Sequence, residues 1–156
     1  RHDKNKYIIG ATGCKFSHRN IIRDAYENNY ESILILEDDI EFSNNFLNSL
    51  NYFITNMKKT EWDMLYLGGR NTLIEINKMC IPTEFPHIYK CHKVKCTHAY
   101  LIKRKLFSKI LKDLETYDEE IDNYYFKCIQ PHYNSYIIYP TIVNQTDSKS
   151  DIIEKR

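Results

Sequence analysis

The chain reads as an α/β protein, a single layered domain over residues 1–156, and three observations predict it. Residues 33–39 run Ile-Leu-Ile-Leu-Glu-Asp-Asp, an apolar segment long enough for a strand covered on both faces and ending in three acids. Residues 63–67 form a second apolar run of the same kind, closed by Gly68 and Gly69. Between them Phe46, Leu47, Leu50, Phe53, Ile54 and Met57 recur at helical spacing and form one apolar stripe. Strand, helix and strand in that order argue for helices layered on a sheet.

The remaining elements follow in order. Residues 6–9 suit a short strand closed by Gly10-Ala11-Thr12-Gly13, with Gly13 supplying a turn of positive φ. Ser17 fits an N-cap, and the spacing of Ile21, Ile22, Ala25 and Tyr26 predicts a helix over 18–29 that Asn28 and Asn29 stop. The strand 32–36 comes next, and Ser43 is placed to cap the second helix. Residues 70–86 lack a period and contain Pro82 and Pro86, which predicts a loop or lid. Residues 87–90 and 97–102 suit strands paired antiparallel. Leu106, Phe107, Ile110, Leu111 and Leu114 mark a third helix, residues 121–129 a fourth, and residues 136–139 a last strand before Pro140. The polar stretch 141–156 predicts an extended tail.

Composition narrows the function. A net charge of +1 provides no field that would favour nucleic acid or a membrane surface. No apolar stretch approaches the roughly 20 residues of a transmembrane helix. Five scattered cysteines (Cys14, Cys80, Cys91, Cys96, Cys128) cannot all pair, which makes a reduced, cytoplasmic setting the default. The chain opens at Arg1 without Met, so the endoplasmic reticulum lumen is the alternative if an upstream leader was removed. Oligomeric state is not readable from the sequence.

The chemistry concentrates at Glu37, Asp38 and Asp39. Three adjacent carboxylates repel one another and call for a cation or several hydrogen-bond donors. They fall where the strand leaves the sheet, the edge at which open α/β sheets place ligands. A hard ion such as Mn²⁺ or Mg²⁺ prefers such oxygens. In extended backbone alternate side chains share a face, so Glu37 and Asp39 converge as metal ligands while Asp38 points away, free to hold a ribose or backbone amides. The plain alternative is a solvated acidic turn. An unrelated Mg²⁺-dependent hydrolase or phosphotransferase would use the same acids, but no Walker loop accompanies them.

Five segments in order resemble glycosyltransferase family 25, the group of lipooligosaccharide and collagen β-galactosyltransferases. They are Gly13-Cys14-Lys15-Phe16-Ser17-His18; residues 33–40; Trp62-Asp63-Met64-Leu65-Tyr66-Leu67-Gly68; Thr97-His98-Ala99-Tyr100-Leu101-Ile102; and Ile121-Asp122. The resemblance implies a GT-A-type (Rossmann-like) core. It also implies transfer of galactose or glucose, with inversion, from a UDP-sugar to a saccharide or glycosylated-protein acceptor. Glu37-Asp38-Asp39 would then stand for the family's acidic metal motif. By position Asp122 would be the general base, although an N-cap or first-turn role, and competition from Asp118, Glu119 and Glu120, stay open. Asp151 matches a tail element that closes over the site. Ser17 and His18 would meet donor or acceptor at a helix N-terminus, or simply cap it. Family members carry a nucleotide-binding strand well upstream of the Gly-Cys segment, and almost nothing precedes Gly10 here. The alternative function is therefore a truncated, non-catalytic domain that binds a glycan or a protein.

Two further motifs have weaker spacing. Cys91, His92, Cys96 and His98 form an irregular zinc pattern, and Cys91 with Cys96 would suit a hairpin disulfide. Asn144-Gln145-Thr146 is a glycosylation sequon that matters only in a secreted setting.

Overall fold

A computed structural model of the protein describes residues 2–69 and 73–146. Helix α1 spans His2–Glu27 and is followed by strand β1 (Ser32–Leu36), β2 (Ile40–Phe42), α2 (Phe46–Met57), β3 (Met64–Tyr66) and α3 (Leu73–Met79). Then come β4 (Cys80–Pro82), β5 (Ile88–Cys91), β6 (Ala99–Lys103), α4 (Arg104–Asp113), α5 (Ile121–Tyr124), β7 (Ser135–Ile138) and β8 (Val143–Gln145). A π-helical turn, Tyr125–Ile129, continues α5. Six strands form a mixed sheet in the order β1-β6-β3-β7-β5-β4, and β2 pairs with β8 in a separate two-stranded sheet. The α/β class holds.

Two apolar clusters cover the two faces. Met64 and Tyr66 of β3 point into one, with Ile22, Ala25, Phe107 and Tyr124 of the helices α1, α4 and α5. Leu65 and Leu67 point into the other, with Phe53 and Met57 of α2 and Val143 of β8. This alternation is what a strand buried on both faces requires. β1 differs from its expected role. Among the described residues it is an edge strand, paired only with β6, and Ile33 and Ile35 face the first cluster while Leu34 and Leu36 stay 42% and 38% exposed. Its run of aliphatic residues mimics a central strand because period alone does not report which face has a cover.

Six other expectations change. Residues 6–9 are the start of α1 and not a strand, and Gly10 and Gly13 lie inside that helix without positive φ. Each glycine costs a helix about 1 kcal/mol. That cost is offset by a buried face, His18, Ile22 and Ala25, and by anchors from Lys15 Nζ to the Tyr117 carbonyl at 2.6 Å and from Tyr7 to Glu120 at 2.7 Å. Ser17 is consequently no N-cap; its hydroxyl donates back to the Gly13 carbonyl at 3.0 Å. Ser43 does not cap α2 either, since Asn45 holds that position without a side-chain bond. Residues 73–82 form α3 and β4 in place of a loop, and β5 pairs with β4 and β7, not with β6. In the expected tail, residues 143–145 are β8, in register with β2 from Ile40↔Gln145 to Phe42↔Val143.

Candidate functional site

The sheet directions bring the site together. β1 and β3 both run antiparallel to β6, and β3 runs parallel to β7, so β1, β3 and β7 end at one edge. The acids leave β1 at that edge, beside the Thr97-His98 entry to β6. The Glu37 amide donates to the His98 carbonyl at 2.9 Å, and the Asp39 carbonyl accepts from the Thr146 amide at 2.8 Å. β8 is thereby folded across the acidic turn.

Glu37 and Asp39 both reach Gln145, although residues 38–39 form a turn and not the extended backbone the alternation argument assumed. Gln145 Nε2 lies 3.3 Å from Glu37 Oε2 and 3.3 Å from Asp39 Oδ2. The partly positive amide is thus the group that holds the two carboxylates together. Two oxygen donors converging on one point fit a hard divalent ion. Asp38, between them, is exposed. Among the described residues, no Lys or Arg ion pair reaches Glu37, Asp39 or Asp122.

Behind this pair lies α1. His18 is buried, 3% exposed, with Nδ1 2.7 Å from the Tyr100 hydroxyl and Nε2 3.3 Å from Glu37 Oε1. Its ring stacks on Tyr100 at 5.7 Å between centroids, and Tyr100 in turn meets the Tyr125 hydroxyl at 3.0 Å. Thr97 donates to Glu37 Oε1 at 3.1 Å. Burial pushes the Glu37 carboxyl up, but the His18 hydrogen bond and charge, with the Thr97 hydrogen bond, outweigh it and hold Glu37 below the usual glutamate range. Cys14 lies one turn before His18 on the same helix face. Burial, then the charges of Glu37, Asp122 and Asp39, push its thiol up to about 12. Three of the acids singled out from sequence therefore act on one sulfur.

Asp122 stands in the first turn of α5, half-buried, with Oδ1 accepting from the Asn123 amide at 2.7 Å. Glu120 occupies the N-cap position without a side-chain cap bond. Ser17 is exposed and stays apart from the cluster, its hydroxyl turned to Gly13. Asp151 lies outside the described residues. The Cys91-His92-Cys96-His98 pattern does not assemble: no disulfide joins any of the five cysteines, and among the described residues the group with metal-ligand spacing is Cys14, His18 and Glu37. His98 instead packs against Gly68, where an added Cβ would sit 2.0 Å from its Nε2.

Sequence reading passed over Cys14, Thr97 and Gln145 as site groups. Cys14 and His18 are four residues apart, a spacing that shares a helix face, but the signal is hidden by the glycines that argue for a turn. Thr97 and Gln145 are separated from Glu37 by 60 and 108 positions, and no local pattern joins them.

A second feature of the same edge is a cavity of about 360 Å³ between the start of α2 and the end of β7, lined by Asn45, Asn48, Tyr52, His87, Tyr139 and Pro140 among others. Strand order puts it three strand spacings from β1, roughly 14 Å.

A mixed sheet with helices on both faces and an acidic cluster at one edge defines an α/β protein with a candidate ligand site. The family model described as "Glycosyltransferase family 25 (LPS biosynthesis protein)" matches residues 4–125, and the chain belongs to that family. Procollagen galactosyltransferase 1-B of Xenopus laevis is 32% identical over 75 residues, covering 47% of this chain and 12% of that one. Procollagen galactosyltransferase 1 of Danio rerio is 28% identical over 105 residues, or 66% of this chain and 17% of that one. A human relative named inactive glycosyltransferase 25 family member 3 is 33% identical over 63 residues, 39% of this chain and 11% of its own length. The aligned stretches thus cover less than a fifth of these relatives. No helix among the described residues is long and apolar enough to cross a membrane.

Proposed function

We propose that the chain is the core of a metal-dependent, inverting glycosyltransferase of GT-A type that moves a hexose from a UDP-sugar to a saccharide or glycosylated-protein hydroxyl. One observation carries the reading: Glu37 and Asp39 converge on a single point at the functional edge of the sheet, without a Lys or Arg partner among the described residues. Family membership supports the reaction class, and the relatives named procollagen galactosyltransferase support galactose as the first sugar to try. Glu37 and Asp39 would hold Mn²⁺ or Mg²⁺, which when bound neutralises charge on a leaving diphosphate. Asp38, exposed beside them, is free to meet the ribose.

In this reading the acceptor hydroxyl attacks the anomeric carbon as the bond from that carbon to the diphosphate breaks. UDP carries away the electron pair, and Asp122 takes the hydroxyl proton. In this reading the cavity at β7 is the acceptor subsite, where Asn45, Asn48 and Ser49 would meet sugar hydroxyls and a wall of Tyr52, Ile138, Pro140 and Ile142 the apolar face of the ring. The test is release of UDP from UDP-galactose with Mn²⁺ and a saccharide acceptor. Turnover in the wild type and its loss in Asp122→Asn support the proposal; acceptor-independent release, or an Asp122→Asn variant of full activity, contradicts it.

The competing reading is a non-catalytic domain that binds a glycan or a protein. The relative named inactive favours it. Tight glycan binding without turnover by the wild-type chain would establish it.

A further inference from the structure

We propose that Cys14, His18 and Glu37 form a binding site for a borderline-soft divalent cation, zinc in the first instance. This site is distinct in chemistry from the all-oxygen pair Glu37 and Asp39.

One ligand atom from each of the three residues lies within 4.8 Å of the other two. Cys14 and His18 are one helical turn apart on α1 and share a face, while Glu37 comes from the end of β1, so the three donors converge from two rigid elements. His18 Nε2 and Glu37 Oε1 are 3.3 Å apart. Bonds of about 2.0–2.1 Å at a tetrahedral angle place two ligand atoms roughly 3.4 Å apart, so this edge of the tetrahedron is already formed. The sulfur completes a triangle after a small side-chain adjustment, and the fourth position stays open.

The surrounding groups orient the ligands as metal sites require. The Tyr100 hydroxyl occupies His18 Nδ1, which leaves Nε2 as the ligating atom, and Tyr100 can pass its own hydrogen to the Tyr125 hydroxyl. Thr97 fixes Glu37 Oε1 at 3.1 Å. Donor type sets the selectivity: thiolate with imidazole selects zinc or cobalt over Mn²⁺ and Mg²⁺, which prefer the carboxylate pair. As the sulfur–metal bond forms, the thiol proton leaves to solvent and no electron is exchanged, so binding strengthens as pH rises.

The test uses the metal-stripped 156-residue chain in equilibrium dialysis against Zn²⁺, with Co²⁺ as a spectroscopic substitute. The expected result is one bound zinc per chain and, with Co²⁺, a thiolate-to-metal charge-transfer band. Cys14→Ser removes that band and weakens zinc binding more than Tyr100→Phe does. Tyr100→Phe, which leaves His18 unoriented, weakens it by about ten- to a hundredfold. Cys96→Ser keeps both band and affinity, and Asp39→Ala keeps the band. Because the wild-type band itself reports a sulfur ligand, a variant that fails to fold does not blunt the test. An absent band, a band that survives Cys14→Ser, or one that disappears with Cys96→Ser overturns the proposal. Loss of Mn²⁺-assisted UDP binding in Asp39→Ala alongside a retained Co²⁺ charge-transfer band would separate the two cation sites.

Discussion

The two ends of the functional edge differ in kind. At β1 the side chains are a thiol, an imidazole and three carboxylates, held by Thr97, Tyr100 and Gln145. At β7 the cavity wall sets the amides and hydroxyls of Asn45, Asn48 and Ser49 against Tyr52, Ile138, Pro140 and Ile142, with His87 its one imidazole. The first end suits a cation and, through it, an anionic donor; the second suits a neutral, hydroxyl-rich molecule. In the proposed reading the first end would meet the donor and the second the acceptor, roughly 14 Å apart by strand spacing.

The sharpest way to break this contrast is to remove the group proposed to take the acceptor's proton. Asp122→Asn should lower kcat by about 10²–10⁴-fold, the usual worth of a general base, while UDP affinity stays unchanged. Steady-state kinetics beside a binding titration check both halves. A loss of UDP affinity equal to the loss of rate would move Asp122 from base to donor contact.

A second change tests the joint between the regions. Gly68 sits where β3 meets His98 and β8, and an added Cβ would lie 2.0 Å from His98 Nε2 and 2.6 Å from the Val143 carbonyl. Gly68→Ala should therefore destabilise by about 1–3 kcal/mol through overpacking. It should also loosen Gln145 from the acids, because Val143 and Gln145 belong to the same strand. Urea unfolding gives the first effect, and a wild-type midpoint would refute it.

The neutral end is probed by Tyr52→Ala. The Tyr52 ring lines the cavity and its hydroxyl donates to the Pro86 carbonyl at 3.0 Å. Removing it should raise the acceptor KM by about tenfold, the worth of one aromatic or hydrogen-bonded contact, and leave donor KM alone. An effect on donor KM alone would reverse the assignment of the two ends.

The smallest effect is on pH dependence. Glu37 is held below the usual glutamate value, so the unfolded chain takes up its proton first as pH falls. Its stabilising contribution is complete above the unfolded value of about 4.3 and is lost as pH drops through the folded one. Thr97→Val removes a hydrogen bond to that carboxylate, and should cost about 1 kcal/mol at neutral pH, narrowing as Glu37 protonates. Urea midpoints between about pH 6 and pH 3 check this; a gap that widens in acid contradicts it.

Legibility in the sequence follows the range of the signal. β3 was readable because alternate residues of 64–67 are buried in opposite clusters, and α4 because Leu106, Phe107 and Ile110 keep one buried face. The acids were readable because adjacent like charges are a local anomaly. α1 was not, since Gly10 and Gly13 speak locally against a helix and what holds it, such as Lys15 on Tyr117, is 102 positions away. β8 was hidden by its polar residues, Asn144 and Gln145, whose place in a strand comes from pairing with β2. The edge position of β1 was equally hidden, because Leu34 and Leu36 look like core residues until no element covers them.

The pairing of Glu37 with Asp39 on a divalent ion is tested most directly by calorimetry of UDP binding with and without Mn²⁺, in the wild type and in Asp39→Ala. The account predicts that Mn²⁺ tightens UDP binding by at least about tenfold in the wild type and does nothing in the variant. Equal affinity with and without the ion in the wild-type chain would contradict it.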